Sequence, residues 1–163
     1  MNVHSISVII PNYNGERLFG EVIPTVLLAL ENSGLPFEII VSDDCSTDNS
    51  IAYLREHFPT VKVLPGKRNS GFSITINRGI FAASSSHLLL LNSDVKLTPW
   101  YFGGLHKYFD DPDCFGVMTR IVGWDDEKIQ DGGKYPAFHG VKIKTSGNYI
   151  PENPEPDQRL YSM

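Results

Sequence analysis

The chain has 163 residues, and 14 Lys and Arg against 19 Asp and Glu give it a formal net charge of −5. A hydrophobic fraction of 41% and a charged fraction of 20% are typical of one globular domain and exclude a disordered chain. The acidic balance also argues against a nucleic-acid partner, because proteins that bind nucleic acids usually present a basic face.

The front of the chain alternates short apolar runs with longer amphipathic segments. The apolar runs predict strands at 5–10, 37–41, 61–64 and 87–91. The amphipathic segments predict helices at 16–33, 47–57, 72–84 and 99–109. Pro24 lies inside the first helix, so we expect a kink or a late start there. Residues 72–84 also alternate like a strand, but their place after a strand and a loop favours a helix.

Repeated alternation of strand and helix predicts an open parallel sheet with helices on both faces. The run of leucines at 88–91 is typical of a strand that is covered on both faces. In such sheets the ligand binds outside the carboxyl ends of the strands. Polar clusters at 12–14, 43–44 and 92–94 each follow a predicted strand, so we expect a binding site at this edge.

The pattern weakens towards the end of the chain. We predict a fifth strand at 115–122, one strand of a hairpin at 141–144, and a loop or frayed tail from 145 onward. We therefore divide the chain into a core at 1–122 and a second region at 123–163. Its last stretch resembles a linker, which suggests the front part of a longer protein.

The sequence carries no sign of secretion or of a membrane span. Cys45 and Cys114 are far apart and form no motif, which is typical of a reducing compartment. The N-terminus lacks the basic region and cleavage pattern of a signal peptide. No apolar run approaches the roughly 20 residues that a membrane helix needs. We expect a cytoplasmic protein, and peripheral attachment to the inner face of a membrane stays open.

Three groups of residues could carry chemistry. Asn92 and Asp94 lie two apart at a strand end and point to one side, a donor set that suits Mg²⁺ or Mn²⁺ beside substrate phosphates, although Asn-Ser-Asp is also a common turn. Asp43 and Asp44 could bind a base or ribose, or form the start of the next helix. Tyr13 could stack on a nucleobase or cover the edge of the core.

Other signals are weaker or absent. Lys67, Arg68 and Arg78 could approach a diphosphate or remain solvated surface charges. The glycines near them form neither a Walker loop nor a GxGxxG motif. The sequence also lacks GxSxG, a Cys–His pair and histidines at metal-ligand spacing, so a hydrolase is disfavoured.

Four segments, taken in order, resemble the family 2 glycosyltransferases, which have the GT-A fold. They are Ser-Val-Ile-Ile-Pro-Asn-Tyr-Asn at 7–14, Glu-Ile-Ile-Val-Ser-Asp-Asp-Cys-Ser-Thr-Asp at 38–48, Asn-Ser-Gly-Phe at 69–72 with Asn-Arg-Gly-Ile at 77–80, and the leucine run with Asn-Ser-Asp-Val at 88–95. The set looks most like the branch that includes rhamnosyltransferases of surface polysaccharide assembly. The resemblance implies an α/β, Rossmann-like nucleotide-diphospho-sugar transferase fold with a mostly parallel central sheet, helices on both faces and an incomplete C-terminal part.

The resemblance also implies a role for particular residues. Pro11 and Tyr13 would lie against the nucleobase, and Asp44 would hydrogen-bond to it. Asp94 matches the last aspartate of the family's DXD motif, which would bind Mn²⁺ or Mg²⁺ at the diphosphate. The implied nucleotide-binding set is Pro11, Tyr13, Asp43, Asp44, Asn69, Gly71, Asn77 and Ser93, with Asp94 for the metal.

Two departures from the family pattern stand out. Asn92 replaces the first aspartate of the DXD motif. The family's general base lies in a Glu-Asp motif further along, and the acidic residues at 125–127 and Asp131 do not match its context, so no catalytic residue is identified. Because transfer with inversion needs a base at the acceptor hydroxyl, we expect this chain to supply only the donor-binding half.

The resemblance therefore implies an inverting, metal-dependent glycosyltransferase of polysaccharide biosynthesis. It would transfer a sugar from a nucleotide-diphosphate donor to a saccharide or lipid-linked acceptor. The alternatives are a catalytically incomplete nucleotide-binding or scaffold module and a nucleotidyltransferase, whose usual Gly-rich phosphate loop is not found after the first strand. An apolar surface at the incomplete side would promote self-association.

Overall fold

A computed structural model of the chain describes residues 4–111, 114–119, 121–122, 129–130 and 142–145. The chain divides into two compact units, Met1–Gly103 and Gly104–Met163. The predicted boundary at residue 122, which rests on the weakening of the strand and helix pattern, stays a prediction. Among the described residues, no helix combines the length and apolar character that crossing a bilayer requires.

The first unit alternates strands and helices, as the sequence predicts. Its elements are β1 (Ile6–Asn12), α1 (Glu16–Ser33), β2 (Phe37–Asp43), α2 (Ser50–His57), β3 (Lys62–Pro65), α3 (Phe72–Ala82) and β4 (His87–Leu90). The ambiguous segment at 72–84 is a helix. The prediction of a late start for α1 is wrong, because the helix begins at Glu16 and contains Pro24. β1 also continues past its predicted end at residue 10, through Pro11 to Asn12.

The four strands form one parallel sheet in the order β3-β2-β1-β4. In this register Asn12 lies beside Asp43, and Asp43 lies beside Pro65. The backbone N–H of Leu91 donates to Ile9 O at 3.0 Å, which continues the alignment past β4. The carboxyl ends of all four strands therefore share one edge, and the predicted polar clusters at 12–14, 43–44 and 92–94 follow them there.

Both faces of the centre of the sheet are buried. Val8, Ile9 and Ile10 are fully buried although successive side chains of a strand point to opposite faces. α3 covers the face of Ile9, because a Cβ at Gly79 would lie 2.4 Å from Ile9 Cγ2. Because connections between parallel strands are nearly always right-handed, we infer that α1 and α2, which contact each other, cover the other face.

The prediction that the leucine-rich strand is covered on both faces is wrong. Leu88 is 45% exposed and Leu90 is 51% exposed. Their register partners Ser7 and Ile9 lie on the face that α3 covers, but α3 packs over β1 and β2. Within the described part of the chain, β4 pairs only with β1 and forms the edge of the sheet. Leu88 and Leu90 therefore lie beyond the part of the sheet that α3 covers.

Two further predictions need correction after residue 99. The predicted helix at 99–109 is a 3₁₀ turn (Tyr101–Gly104) followed by the short α4 (His106–Phe109), since Gly103 and Gly104 disfavour a continuous helix. The predicted strand at 115–122 is two strands, β5 (Cys114–Met118) and β6 (Ile121–Val122), because they pair with different partners. Those partners are β8 (Lys142–Thr145), parallel to β5, and β7 (Ile129–Gln130), antiparallel to β6. The strand expected at 141–144 is thus β8, in a parallel pair. Thr145, predicted to begin the tail, is the last residue of β8, and the rest of the predicted tail lies outside the described residues.

Candidate functional site

The loop after β1 presents Tyr13 at the carboxyl edge of the sheet. Its side chain is 53% exposed, whereas Pro11, predicted to lie beside it against a base, is buried in the strand. The backbone of Asn14 is left-handed, with φ of 56°, a conformation that few residues other than glycine adopt. This local geometry turns the chain from β1 into α1 and leaves the tyrosine ring at the surface.

A buried polar cluster joins the ends of β1 and β2. Asn12 Nδ2 donates to Asp43 Oδ2 at 2.8 Å and to Ser46 Oγ at 3.1 Å. Ser46 in turn donates through both its backbone N–H and its hydroxyl to the two oxygens of Asp43. Asp43 is fully buried, and its hydrogen bonds hold the two loops together. Its contact with a nucleotide stays a prediction.

A second set of bonds ties the same two loops nearer the surface. Asn14 Oδ1 accepts hydrogen bonds from the backbone N–H of Thr47 at 2.8 Å and of Asp48 at 3.3 Å. Its own backbone N–H donates to Ser46 Oγ at 2.8 Å. The sequence predicts Asn12 and Asn14 as part of the polar cluster at 12–14, but it does not reveal that Ser46 bonds to both of them.

Asp44 holds the loop that precedes α3. Its two carboxylate oxygens accept from the backbone N–H groups of Ser70 and Gly71, each at 2.8 Å. Gly71 has φ of 83°, which favours glycine at this turn into the helix. Burial alone would raise the pKa of Asp44, but these hydrogen bonds and the charge of Arg78 lower it below the ordinary value of 3.8. Asp44 is therefore held as a carboxylate, while its contact with a base stays a prediction.

Arg78 lies under the site and contacts the end of β2. Its Nε donates to Ser42 Oγ at 3.1 Å, and its Nη2 donates to the carbonyl oxygen of Asp43. The backbone N–H of Gly66 donates to the same carbonyl at 2.7 Å. Arg78 is therefore not a solvated surface charge, since it anchors protein backbone, while its approach to a diphosphate stays a prediction.

Other predicted site residues lie at the surface. Asn69 and Asn77 are exposed, the first in the loop before α3 and the second on α3 itself. Lys67 and Arg68 are also exposed. These side chains are accessible to a ligand, but their roles stay predictions.

The turn after β4 carries Asn92, Ser93 and Asp94. Asn92 and Asp94 are exposed and Ser93 is half-buried, and the backbone N–H of Val95 closes the turn on Asn92 O at 3.2 Å. Among the described residues, no group of three His, Cys, Asp or Glu side chains could hold a metal by itself. The single exposed carboxylate of Asp94 fits a metal site in which substrate phosphates supply most of the ligands.

The segment that follows this turn is fastened along α1. Lys96 Nζ contacts Glu21 Oε2 at 2.6 Å, and the backbone N–H of Leu97 donates to Thr25 Oγ1 at 3.2 Å. Further along α1, Asn32 Nδ2 donates to the carbonyl oxygen of Pro99 in the same segment at 2.9 Å. The acceptors and donors on α1 recur about every turn or two, so the segment runs along one side of the helix.

The sequence profile described as Glycosyl transferase family 2 matches residues 7–159. The chain belongs to this family. A glycosyltransferase of Nostoc sp. is 35% identical over 130 residues, which are 76% of this chain and 39% of the relative. The chain thus spans well under half of that relative's length.

Solved structures share the fold. Staphylococcus aureus TarS residues 1–349, in complex with UDP-GlcNAc, superimposes with a TM-score of 0.59 at 24% identity, over 70% of this chain and 35% of TarS. The mannosyltransferase PcManGT of Pyrobaculum calidifontis, in complex with GDP-Man and Mn²⁺, gives a TM-score of 0.60 at 20% identity, over 72% of this chain and 35% of that one. Together with the parallel sheet, these similarities confirm the predicted Rossmann-like GT-A fold.

Proposed function

We propose that this chain forms the nucleotide-sugar site of an inverting, metal-dependent glycosyltransferase. The observation that carries the proposal is the placement of Tyr13, Asp44 and Asp94, which the loops after β1, β2 and β4 bring to one edge of the sheet. The first two loops and the loop before α3 are braced by hydrogen bonds among themselves. Structures of the same fold were solved with UDP-GlcNAc and with GDP-Man, which supports a nucleotide donor here.

Asp94 would hold a divalent cation together with the donor diphosphate. PcManGT was solved with Mn²⁺, and the exposed carboxylate of Asp94 fits a cation that phosphate oxygens mostly surround. The cation would supply Lewis-acid stabilisation of the departing nucleoside diphosphate. Asn92 contributes an amide oxygen in place of a second carboxylate, so we expect weaker metal affinity than two carboxylates would give.

We assign the binding of the acceptor to residues that lie outside the described site. None of the described residues is identified as a general base, and we infer that this chain binds the donor without completing transfer. A saccharide or a lipid-linked acceptor, a cytoplasmic location, peripheral membrane association and self-association stay predictions. The alternative, a nucleotide-binding module without transfer, shares the same donor site.

Calorimetric titration tests the donor site. The chain would be titrated with UDP, dTDP and GDP, with and without Mn²⁺, as wild type and as Asp94→Ala. We expect one nucleotide to bind in a metal-dependent manner and Asp94→Ala to weaken it at least about tenfold, the loss of one charged ligand. Glu31→Ala removes an exposed carboxylate from the far end of α1 and serves as the matched control. Wild-type protein that binds none of the three nucleotides would contradict the proposal.

A further inference from the structure

One serine hydroxyl holds the residues on both sides of Tyr13. Ser46 Oγ accepts a hydrogen bond from Asn12 Nδ2 at 3.1 Å and another from the backbone N–H of Asn14 at 2.8 Å. It donates its own proton to Asp43 Oδ2 at 2.5 Å. A hydroxyl has one proton and two lone pairs, so the hydrogen-bonding capacity of Ser46 is fully used inside the protein.

The backbone around Tyr13 is consequently fixed before any ligand arrives. Asn12 is buried, and its amide is directed into the cluster with Asp43. Asn14 adopts a left-handed conformation that costs free energy for a residue with a side chain, and its bonds to the β2–α2 loop offset that cost. Between these two anchored residues, the side chain of Tyr13 is exposed and accessible to a ligand.

We propose that Ser46 is a positioning residue that holds Tyr13 ready as a stacking surface for the nucleobase of the donor. The inference rests on the proposed donor site. It adds Ser46, a residue to which the sequence alone gave no role in recognition of the base. Ordering a loop on binding costs free energy, so a loop that is already ordered leaves more of the stacking interaction as affinity. Ser46 would act through Tyr13 without touching the base.

A double-mutant cycle separates positioning from a merely structural role. The variants are Ser46→Ala, Tyr13→Ala and the double variant, each titrated with whichever of UDP, dTDP and GDP the wild type binds. We expect Ser46→Ala to weaken binding about fivefold, because the loop that carries Tyr13 must then be ordered when the nucleotide binds. We expect Tyr13→Ala to weaken it about tenfold, in keeping with base–aromatic stacking. The double variant should then bind no more weakly than Tyr13→Ala, because Ser46 has nothing left to position.

Two further variants complete the test. Ser46→Thr keeps the hydroxyl and should restore most of the affinity. Ser84→Ala removes a hydroxyl that donates to Glu38 Oε1 at 2.7 Å, at the amino-terminal edge of the sheet, and should leave nucleotide affinity unchanged. If Ser46→Ala shows no cooperative unfolding transition, Ser46→Cys, which keeps the size but bonds weakly, replaces it in the cycle.

The outcomes are distinct. Fully additive losses in the double variant, or Ser46→Ala that binds like the wild type, would overturn the positioning role while leaving the donor site intact. A wild-type chain that binds no nucleotide would overturn the proposed function itself, and with it this inference. That failure is recognised before any variant is made.

Discussion

The side chains of Glu16 and Asp48 exchange hydrogen bonds between the starts of two helices. Asp48 accepts from the backbone at the start of α1, and Glu16 accepts from the backbone at the start of α2. Asp48 Oδ2 accepts from the backbone N–H of Glu16, the first residue of α1, at 3.0 Å. Glu16 Oε2 accepts from the backbone N–H of Asn49, the N-cap of α2, at 3.1 Å. Since the first N–H groups of a helix lack partners within it, this exchange stabilises two helices and joins their loops at once.

Removing the carboxylate of Asp48 should destabilise the fold. It accepts from Glu16 and from both donors of Ser50, so we expect Asp48→Ala to lower the free energy of unfolding by about 1–2 kcal/mol. Urea denaturation followed by circular dichroism measures this. Glu56→Ala, which truncates an exposed acid on α2, should change it by less than about 0.5 kcal/mol. Equal effects of the two variants would show that the exchange carries no stability.

Stability should fall as the pH drops below about 4. Burial would raise the pKa of Asp48, but hydrogen bonds from Ser50 and Glu16 hold it below the ordinary value of 3.8. The folded protein therefore binds fewer protons than the unfolded chain. The resulting stabilisation is complete above the unfolded pKa and is lost as the pH falls through the folded one. Urea denaturation between pH 7 and pH 3 should show this decline, and Asp48→Asn should make it shallower. An unchanged slope in Asp48→Asn would contradict the assignment.

Asp44→Asn should loosen the loop before α3. The amide can accept only one of the two hydrogen bonds from Ser70 and Gly71, and its own N–H₂ then faces a backbone donor. We expect a loss of about 1–3 kcal/mol in unfolding free energy. Hydrogen exchange should accelerate at the amides of Ser70 and Gly71, while the amides of β1 remain protected. Unchanged exchange at Gly71 would mean that Asp44 does not hold the loop.

Gly79→Ala should disturb the packing of α3 on the sheet. A Cβ at Gly79 would lie 2.4 Å from Ile9 Cγ2, so helix and strand must separate, at a cost of about 1–3 kcal/mol. Gly103→Ala is the control, because nothing lies within 4 Å of a Cβ at that position. Calorimetry should show a lower melting temperature for Gly79→Ala than for Gly103→Ala. The reverse order would indicate that the close approach is not preserved in solution.

Much of the first unit could be predicted from local pattern. The strands at β1 and β2 are short, β-branched runs, and the apolar spacing of α1 follows its buried side. The coverage of β4 could not be predicted, because Leu88 and Leu90 differ from buried leucines only in their distance from α3. Nor could the partners of β5 and β6, since strand pairing depends on contacts far apart in the chain.

For the candidate site, the sequence predicts which residues take part but not which groups they contact. Motif position identified Asp43, Asp44 and Asp94 as site residues, but not how their oxygens are used. Asp43 and Asp44 turn out to accept hydrogen bonds from neighbouring loops. Arg78 is a further case, because its charge suggested a phosphate while its place on α3 brings it to a backbone carbonyl. Residue type indicates capacity, whereas the partner depends on which loops the sheet places side by side.

The donor site is tested most directly by amide NMR of the chain with Mg²⁺ as it is titrated with UDP, dTDP and GDP. We expect one nucleotide to shift the amide signals of Tyr13, Asp44, Gly71 and Asp94, which lie at the carboxyl edge of the sheet. The signals of residues 84–86, at the opposite edge, should not move. Shifts confined to the opposite edge, or no shift with any of the three nucleotides, would contradict it.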